Sequence, residues 1–186
     1  MPVIFRGKPA CTCLAAWLPA YERELRARDV LAPKARLSIY QLIGGAAASG
    51  GTHTTGGAFD ITNLPGDVDV WVARQMGADA TWDRTMMSPR HIHGVLRGCP
   101  HNGPARYQIA SVDRGDNGLD GSASAGPDDG PRPLSGRSWE EGIAWHREQA
   151  KVRRRAALTA RIQPLLEEKR KLTALIGRLR EKRAAL

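Results

Sequence analysis

No run of apolar residues in this 186-residue chain approaches the roughly 18 to 20 that a membrane-crossing helix needs, and its first residues do not resemble a secretory signal. The chain therefore reads as a soluble protein made in a cytoplasm, and any work outside the cell requires release or carriage by something else. Cysteine is scarce as well. Cys11, Cys13 and Cys99 are an odd number, and the first two stand too close for easy mutual bridging, which argues against a disulfide scaffold and for a reducing birthplace. Acidic residues are outnumbered, 19 against 28 Lys and Arg, for a net charge of +9. That excess is local: from Ser138 onward 13 basic residues face 6 acidic ones, whereas the rest of the chain has 15 against 13. A nearly balanced body suits a catalytic or ligand-binding domain better than a surface that grips duplex nucleic acid.

Residues 1 to 121 read as one mixed domain. Leu14, Trp17, Leu18, Tyr21 and Leu25 recur at helical spacing, predicting an amphipathic helix from Thr12 to Asp29 in spite of Pro19. "ARLSIYQLI", Ala35 to Ile43, alternates as a strand does, with Leu37, Ile39 and Gln41 on one side and Ser38, Tyr40 and Leu42 on the other. "AFDIT", "DATWDRTMM" and "RHIHGVLR" read as further strands, with a short helix at Asp67 to Met76. This order predicts a small α+β domain built on an antiparallel sheet with flanking helices. Trp17, Trp71 and Trp82 are expected in its core. Residues 122 to 137, "SASAGPDDGPRPLSGR" from Ser122 to Arg137, have the composition of a linker.

From Ser138 the chain turns helical. Ser138 with Glu141 forms a capping box, and leucines fall every seventh residue at Leu158, Leu165, Leu172, Leu179 and Leu186. Ile162, Lys169, Ile176 and Arg183 occupy the alternate seam positions, so residues 138 to 186 read as a basic coiled-coil tail with two charged defects. Pro164 costs about 3 kcal/mol inside a continuous helix, so either a kink or two helices meeting at a turn is expected there. Such a tail pairs subunits or sits on an anionic surface, and a DNA-binding zipper is disfavoured because the basic segment lacks a run of base-reading Asn.

Three of only five histidines sit in two short pieces, "SGGTHTTGGAFDI" (Ser49 to Ile61) and "RHIHGV" (Arg90 to Val95). His91 and His93 are two apart, so on a strand both project from one face. His53 and Asp60 are separated by Gly56, Gly57 and Ala58, small residues that let backbone pass close to a metal. Two imidazoles and a carboxylate suit a hydrolytic zinc site, which keeps one position open. Spacing alone leaves metal binding and ordinary polar residues both open.

The string H-T-T-G-G-A-F-D fits HxxGxAxD at each fixed position, and with the downstream H-I-H it resembles the zinc peptidases that group lysostaphin, D-alanyl-D-alanine carboxypeptidases and hedgehog domains. "GGAAASGGTHTTGGAFDI…HIHGV" is most similar to the carboxypeptidase-like domains in endolysins of phages that infect actinobacteria, a likeness spanning roughly residues 1 to 121. The resemblance implies Zn²⁺ held by His53, Asp60 and His93, with His91 as the proton-transfer residue. Many members carry Glu or Asp three residues before the last ligand, where this chain has Arg90. A serine often found two residues before the first ligand is replaced by Gly51, leaving Ser49 as the nearest candidate substrate contact, with Tyr40 and Gln41 in another substrate-binding region. The implied substrate is the stem peptide or cross-link of bacterial peptidoglycan, reached after release from the host or from within a virion. Phage virion proteins, an anionic envelope polymer, an acidic protein or a second copy are the expected partners of the tail.

Two other clusters stand out in the sequence. Cys11, Cys13, Cys99 and His101 admit a second metal site, but buried cysteine as a small hydrophobe is the commoner case and is the expectation here. Asp113, Asp116 and Asp120 miss the EF-hand spacing and read as a turn-rich loop.

Overall fold

The structure, a computed structural model, describes residues 1–44, 50–120 and 123–185. It is α+β. A hairpin of β1 (Val3–Phe5) and β2 (Lys8–Ala10) turns at Arg6 and Gly7 and leads into α1 (Thr12–Arg26). These strands are too short to show alternation, and the sequence reading assigned nothing there. Helix α1 forms where its stripe predicts: Leu14, Trp17, Leu18, Tyr21 and Leu25 are all fully buried. It ends at Arg26 rather than Asp29, and runs unbroken through Pro19. The packing that outweighs the proline is visible: Trp17 stacks on Tyr21 at 4.6 Å and on Phe59 at 5.1 Å, and its Nε1–H donates to the Met76 carbonyl at 2.7 Å.

Strands β3 (Ile39–Gln41), β4 (Ala58–Ile61), β5 (Ala80–Arg84) and β6 (His91–Val95) form one sheet in the order β3-β4-β6-β5, every pair antiparallel. Helix α2 (Asp67–Gln75) bridges β4 and β5; α3 (Arg106–Arg114) follows β6 through a 3₁₀ turn, and its existence was not foreseen. Phe59, Ile61 and Ile92 join the core made with α1 and α2. The alternate residues Ala58, Ala80, Trp82 and Val95 pack with Val112 of α3. Along this second face the residues turn from apolar to polar at Asp60, His93, His91 and Arg84, which the pairings Asp60↔His93 and Arg84↔His91 bring side by side.

The segment read as a linker has almost no regular structure, yet its described part is held to the body. Asp128 receives both Nη atoms of Arg74, at 2.7 and 3.0 Å, and Trp82 Nε1–H at 2.9 Å. Arg74 is fully buried, and burial of the Asp128 carboxyl, which alone raises its pKa, is outweighed by Arg74, leaving it lowered. Ser135 and Gly136 cap Asp79 through hydrogen bonds of 2.9 to 3.1 Å. Composition located the loss of secondary structure at 122 to 137, but polar anchors carry the compact body further, to His146.

Helix α4 (Trp139–Ala184) begins at the expected capping box, Glu141 N–H to Ser138 Oγ at 3.3 Å and Ser138 N–H to Glu141 Oε2 at 2.7 Å. Its first turns belong to the body: His146 Nδ1 lies 2.7 Å from the buried Glu24 carboxylate, and Trp145 meets Trp71 edge to face at 6.4 Å. Residues 147–186 form a separate unit. The helix runs unbroken through Pro164, so of the two expected arrangements the turn between two helices is not formed. Leu158, Leu165, Leu172 and Leu179 are all more than half exposed.

Candidate metal centre

His53, Asp60 and His93 come together although they are drawn from a loop, β4 and β6. Their candidate ligand atoms lie within 4.8 Å of one another, and all three residues are buried. Gly57, at φ 77, lies so close to Asn102 that any Cβ would meet its Oδ1 at 1.9 Å, which accounts for the small residues between the first two ligands.

Hydrogen bonds around the cluster fix which nitrogens carry lone pairs. The Leu42 carbonyl, which only accepts, lies 2.8 Å from His53 Nδ1, so Nδ1 carries the proton and Nε2, 3.2 Å from Asp60 Oδ2, does not. Gln108 Nε2 donates to the Gly118 carbonyl at 3.1 Å, which turns its Oε1 towards His93 Nε2 at 2.8 Å. The proton on His93 therefore sits on Nε2, and Nδ1 presents a lone pair 2.8 Å from Asp60 Oδ1. Three acceptors thus face one another, an arrangement that only a cation or an added proton stabilises. Burial pushes the Asp60 carboxyl up, but hydrogen bonds and positive charge supplied by protons on His53 and His93 outweigh it and hold it well below the usual carboxylate range, the part that a bound cation would play in place of those protons. Burial lowers the His93 pKa, favouring the neutral ring. An ionised Asp60 and a neutral His93 are the forms that bind a divalent metal. The donor set fits zinc with a fourth position open.

His91 stands at the edge of this cluster. Its Nδ1 donates to the Pro89 carbonyl at 2.8 Å, leaving the Nε2 lone pair 3.8 Å from Asp60 Oδ1. The site forms the floor of a cleft of about 460 Å³, with Tyr40, Arg84, His91 and Tyr107 among its walls. Arg84 is buried, with its guanidinium 4.7 Å from the Trp82 ring centroid and a hydrogen bond of 2.9 Å to the Asn117 carbonyl; burial pushes it down to about 10.

Gln41 does not line the cleft: its amide donates to the Gly44 carbonyl at 2.6 Å. Ile39 pairs with the core residue Ile61, so alternation sends Tyr40 to the opposite face, where it lines the cleft; the register shift that follows sets Gln41 against Asp60 without bringing its amide into the cleft. Ser49 lies outside the described residues. Arg90 forms an ion pair with Asp83, its Nε 3.0 Å from Oδ1. Asp113 pairs with Arg97, and Asp116 and Asp120 with Arg114, so the acidic trio is occupied by arginines. Sequence reasoning missed Gln108 and Arg84. The first lies on an unforeseen helix, and the second reads as one more polar residue in a strand. Comparison with protein-family models, with curated proteins and with solved structures found no match to this chain.

Proposed function

We propose that this protein is a zinc-dependent peptidase of the D-alanyl-D-alanine carboxypeptidase-like kind, acting on stem peptides or cross-links of bacterial peptidoglycan. The observation that carries the reading is the convergence of His53 Nε2, His93 Nδ1 and the Asp60 carboxylate on the floor of an open cleft, at the motif positions HxxGxAxD and HxH. A zinc ion bound there supplies the Lewis acidity that polarises a carbonyl and acidifies water. His91, its Nε2 3.8 Å from Asp60 Oδ1 at the edge of the cluster, would take the proton of the attacking water and return it to the leaving amine. Water is thereby added across the C–N bond with no covalent enzyme intermediate. Gln108 and the Leu42 carbonyl hold the two ligand imidazoles in the required tautomers. Arg84, a buried cation in the cleft wall, suits a carboxylate on the substrate. Digestion of purified peptidoglycan, followed by mass spectrometry of the fragments, tests the proposal: wild type releases peptide fragments or free amino acid, and His93→Ala does not.

A second reading, a phage virion component in which the peptidase-like domain serves assembly, is favoured by the exposed leucine seam of α4. Cleavage by wild type but not by His93→Ala, with a monomeric chain at high concentration, decides against it. The basic residues of the same helix suit an acidic partner or a polyanionic envelope polymer.

A further inference from the structure

A second cluster lies outside the cleft. The Sγ atoms of Cys11, Cys13 and Cys99 and Nδ1 of His101 all lie within 4.8 Å of one another. Cys11 Sγ is 3.8 Å from Cys99 Sγ, and His101 Nδ1 is 3.6 Å from Cys13 Sγ and 3.7 Å from Cys99 Sγ. Four ligands set tetrahedrally at zinc bond lengths stand about 3.8 Å apart sulfur to sulfur and about 3.5 to 3.6 Å apart sulfur to nitrogen. These three spacings match three of the six edges of such a tetrahedron, and the remaining pairs lie within 4.8 Å. Ordinary packing of small hydrophobes does not require three thiols and an imidazole nitrogen to point at one centre.

The surroundings support negative charge on Cys11 Sγ. Cys11 is the N-cap of α1, and its Sγ accepts N–H bonds from Leu14 at 3.5 Å and from Gly57 at 3.3 Å. A helix N-terminus and backbone N–H donors stabilise thiolates. The neighbouring backbone is packed to match. A Cβ on Gly56, at φ 123, would lie 2.9 Å from Cys11 Cβ and 3.3 Å from His101 Cβ, and Thr55 Oγ1–H donates to the His101 carbonyl at 2.8 Å.

We propose that Cys11, Cys13, Cys99 and His101 bind a second, structural zinc ion. All four positions are filled by protein, so this site has no opening for water and no hydrolytic role. It joins the end of the β1–β2 hairpin, the start of α1 and the segment after β6, and through Gly56 and Gly57 it braces the loop between His53 and Asp60. The proposal is independent of the peptidase reading.

The test is zinc content and cobalt spectroscopy on the full chain. Wild type is expected to carry two zinc ions, and the double variant His53→Ala/His93→Ala one. Cobalt exchanged into either protein should give the intense near-ultraviolet band of thiolate-to-cobalt charge transfer, weakened or lost in Cys99→Ser, with the visible bands and the cobalt affinity changed in His101→Ala. If those two variants do not fold, wild type alone answers: its thiols should resist a thiol reagent until a chelator removes zinc, then all react. The proposal is overturned if wild type holds at most one zinc ion that disappears with His53 and His93, if cobalt gives no thiolate band, or if a Cys11–Cys99 disulfide is found. Failure of the cleft site instead would leave one thiolate-bound ion and no hydrolysis.

Discussion

Replacing Gln108 by methionine keeps roughly the volume of the side chain and removes the acceptor that holds the proton on His93 Nε2. The consequence differs between the metal-free and metal-bound protein. Without metal, the proton moves to Nδ1 and donates to Asp60 Oδ1, already 2.8 Å away, while the Gly118 carbonyl keeps the Tyr107 hydroxyl at 3.2 Å. Stability should then stay within about 1 kcal/mol of wild type, the net worth of an ordinary hydrogen bond. With metal on Nδ1, the proton is forced back to Nε2, where it is buried with no partner, at a cost of about 1–3 kcal/mol. Zinc affinity should therefore fall roughly 10- to 100-fold, the range for lost partners of metal-ligating histidines. A competition titration against a chromophoric chelator reads the affinity, and urea unfolding of the chelated protein reads the stability. Unchanged affinity would refute the assignment of His93 Nδ1 as the ligand atom. An affinity loss matched by an equal loss of metal-free stability would mean that Gln108 only packs.

Further outcomes follow from the same structure. His91→Ala should keep its zinc and lower the rate of peptidoglycan cleavage by about 10²- to 10⁴-fold, as expected for loss of a general base; loss of metal instead would make His91 a ligand. Asp128→Ala strands the buried Arg74 guanidinium and should cost about 3–5 kcal/mol by urea denaturation, whereas a surface-like cost below 1 kcal/mol would show that residues 123–137 are not anchored. Asp69 is buried on α2 with neither oxygen in hydrogen-bond geometry to any of the described residues, and burial pushes its carboxyl up from 3.8 to about 7, against a weaker pull from nearby backbone N–H groups. The native state therefore holds a proton that the unfolded chain has released, so this group's contribution to stability falls as pH rises from about 4 to about 7. Asp69→Asn should remove that slope and be more stable than wild type at pH 8, on the order of 2 kcal/mol; equal denaturation profiles at pH 5 and pH 8 for both proteins would contradict it. In the tail, Lys169→Leu with Arg183→Leu completes the apolar seam and should strengthen self-association in sedimentation equilibrium; a chain that stays monomeric would remove the pairing role.

The parts of this account that were legible in the sequence are those governed by short-range periodicity. The α1 stripe, the alternation that sends His91 and His93 to one face, and the Ser138 capping box each need only a few consecutive residues. What escaped depends on partners distant in the chain. The register shift that sets Gln41 against Asp60 arises from pairing with β4 twenty residues away, and the Gly44 carbonyl that takes up its amide lies beyond the strand. Asp128 reads as a turn residue in a Pro/Gly-rich stretch until Arg74 is found buried beneath it. Gln108 carries no signal of its own, because its role is defined by the lone pair of an imidazole on another element. The cysteines show the same limit: Cys11 and Cys13 read as small hydrophobes at a helix start, and only folding places Cys99 and His101 against them.

The most direct test of the central claim is anomalous diffraction at the zinc absorption edge from crystals of the full chain grown without chelator. A peak about 2.0 to 2.2 Å from His53 Nε2, His93 Nδ1 and an Asp60 carboxylate oxygen is predicted, with the fourth side open to the cleft. Imidazoles at 53 and 93 hydrogen-bonded to Asp60 in zinc-supplemented crystals, with no peak between them, would contradict it.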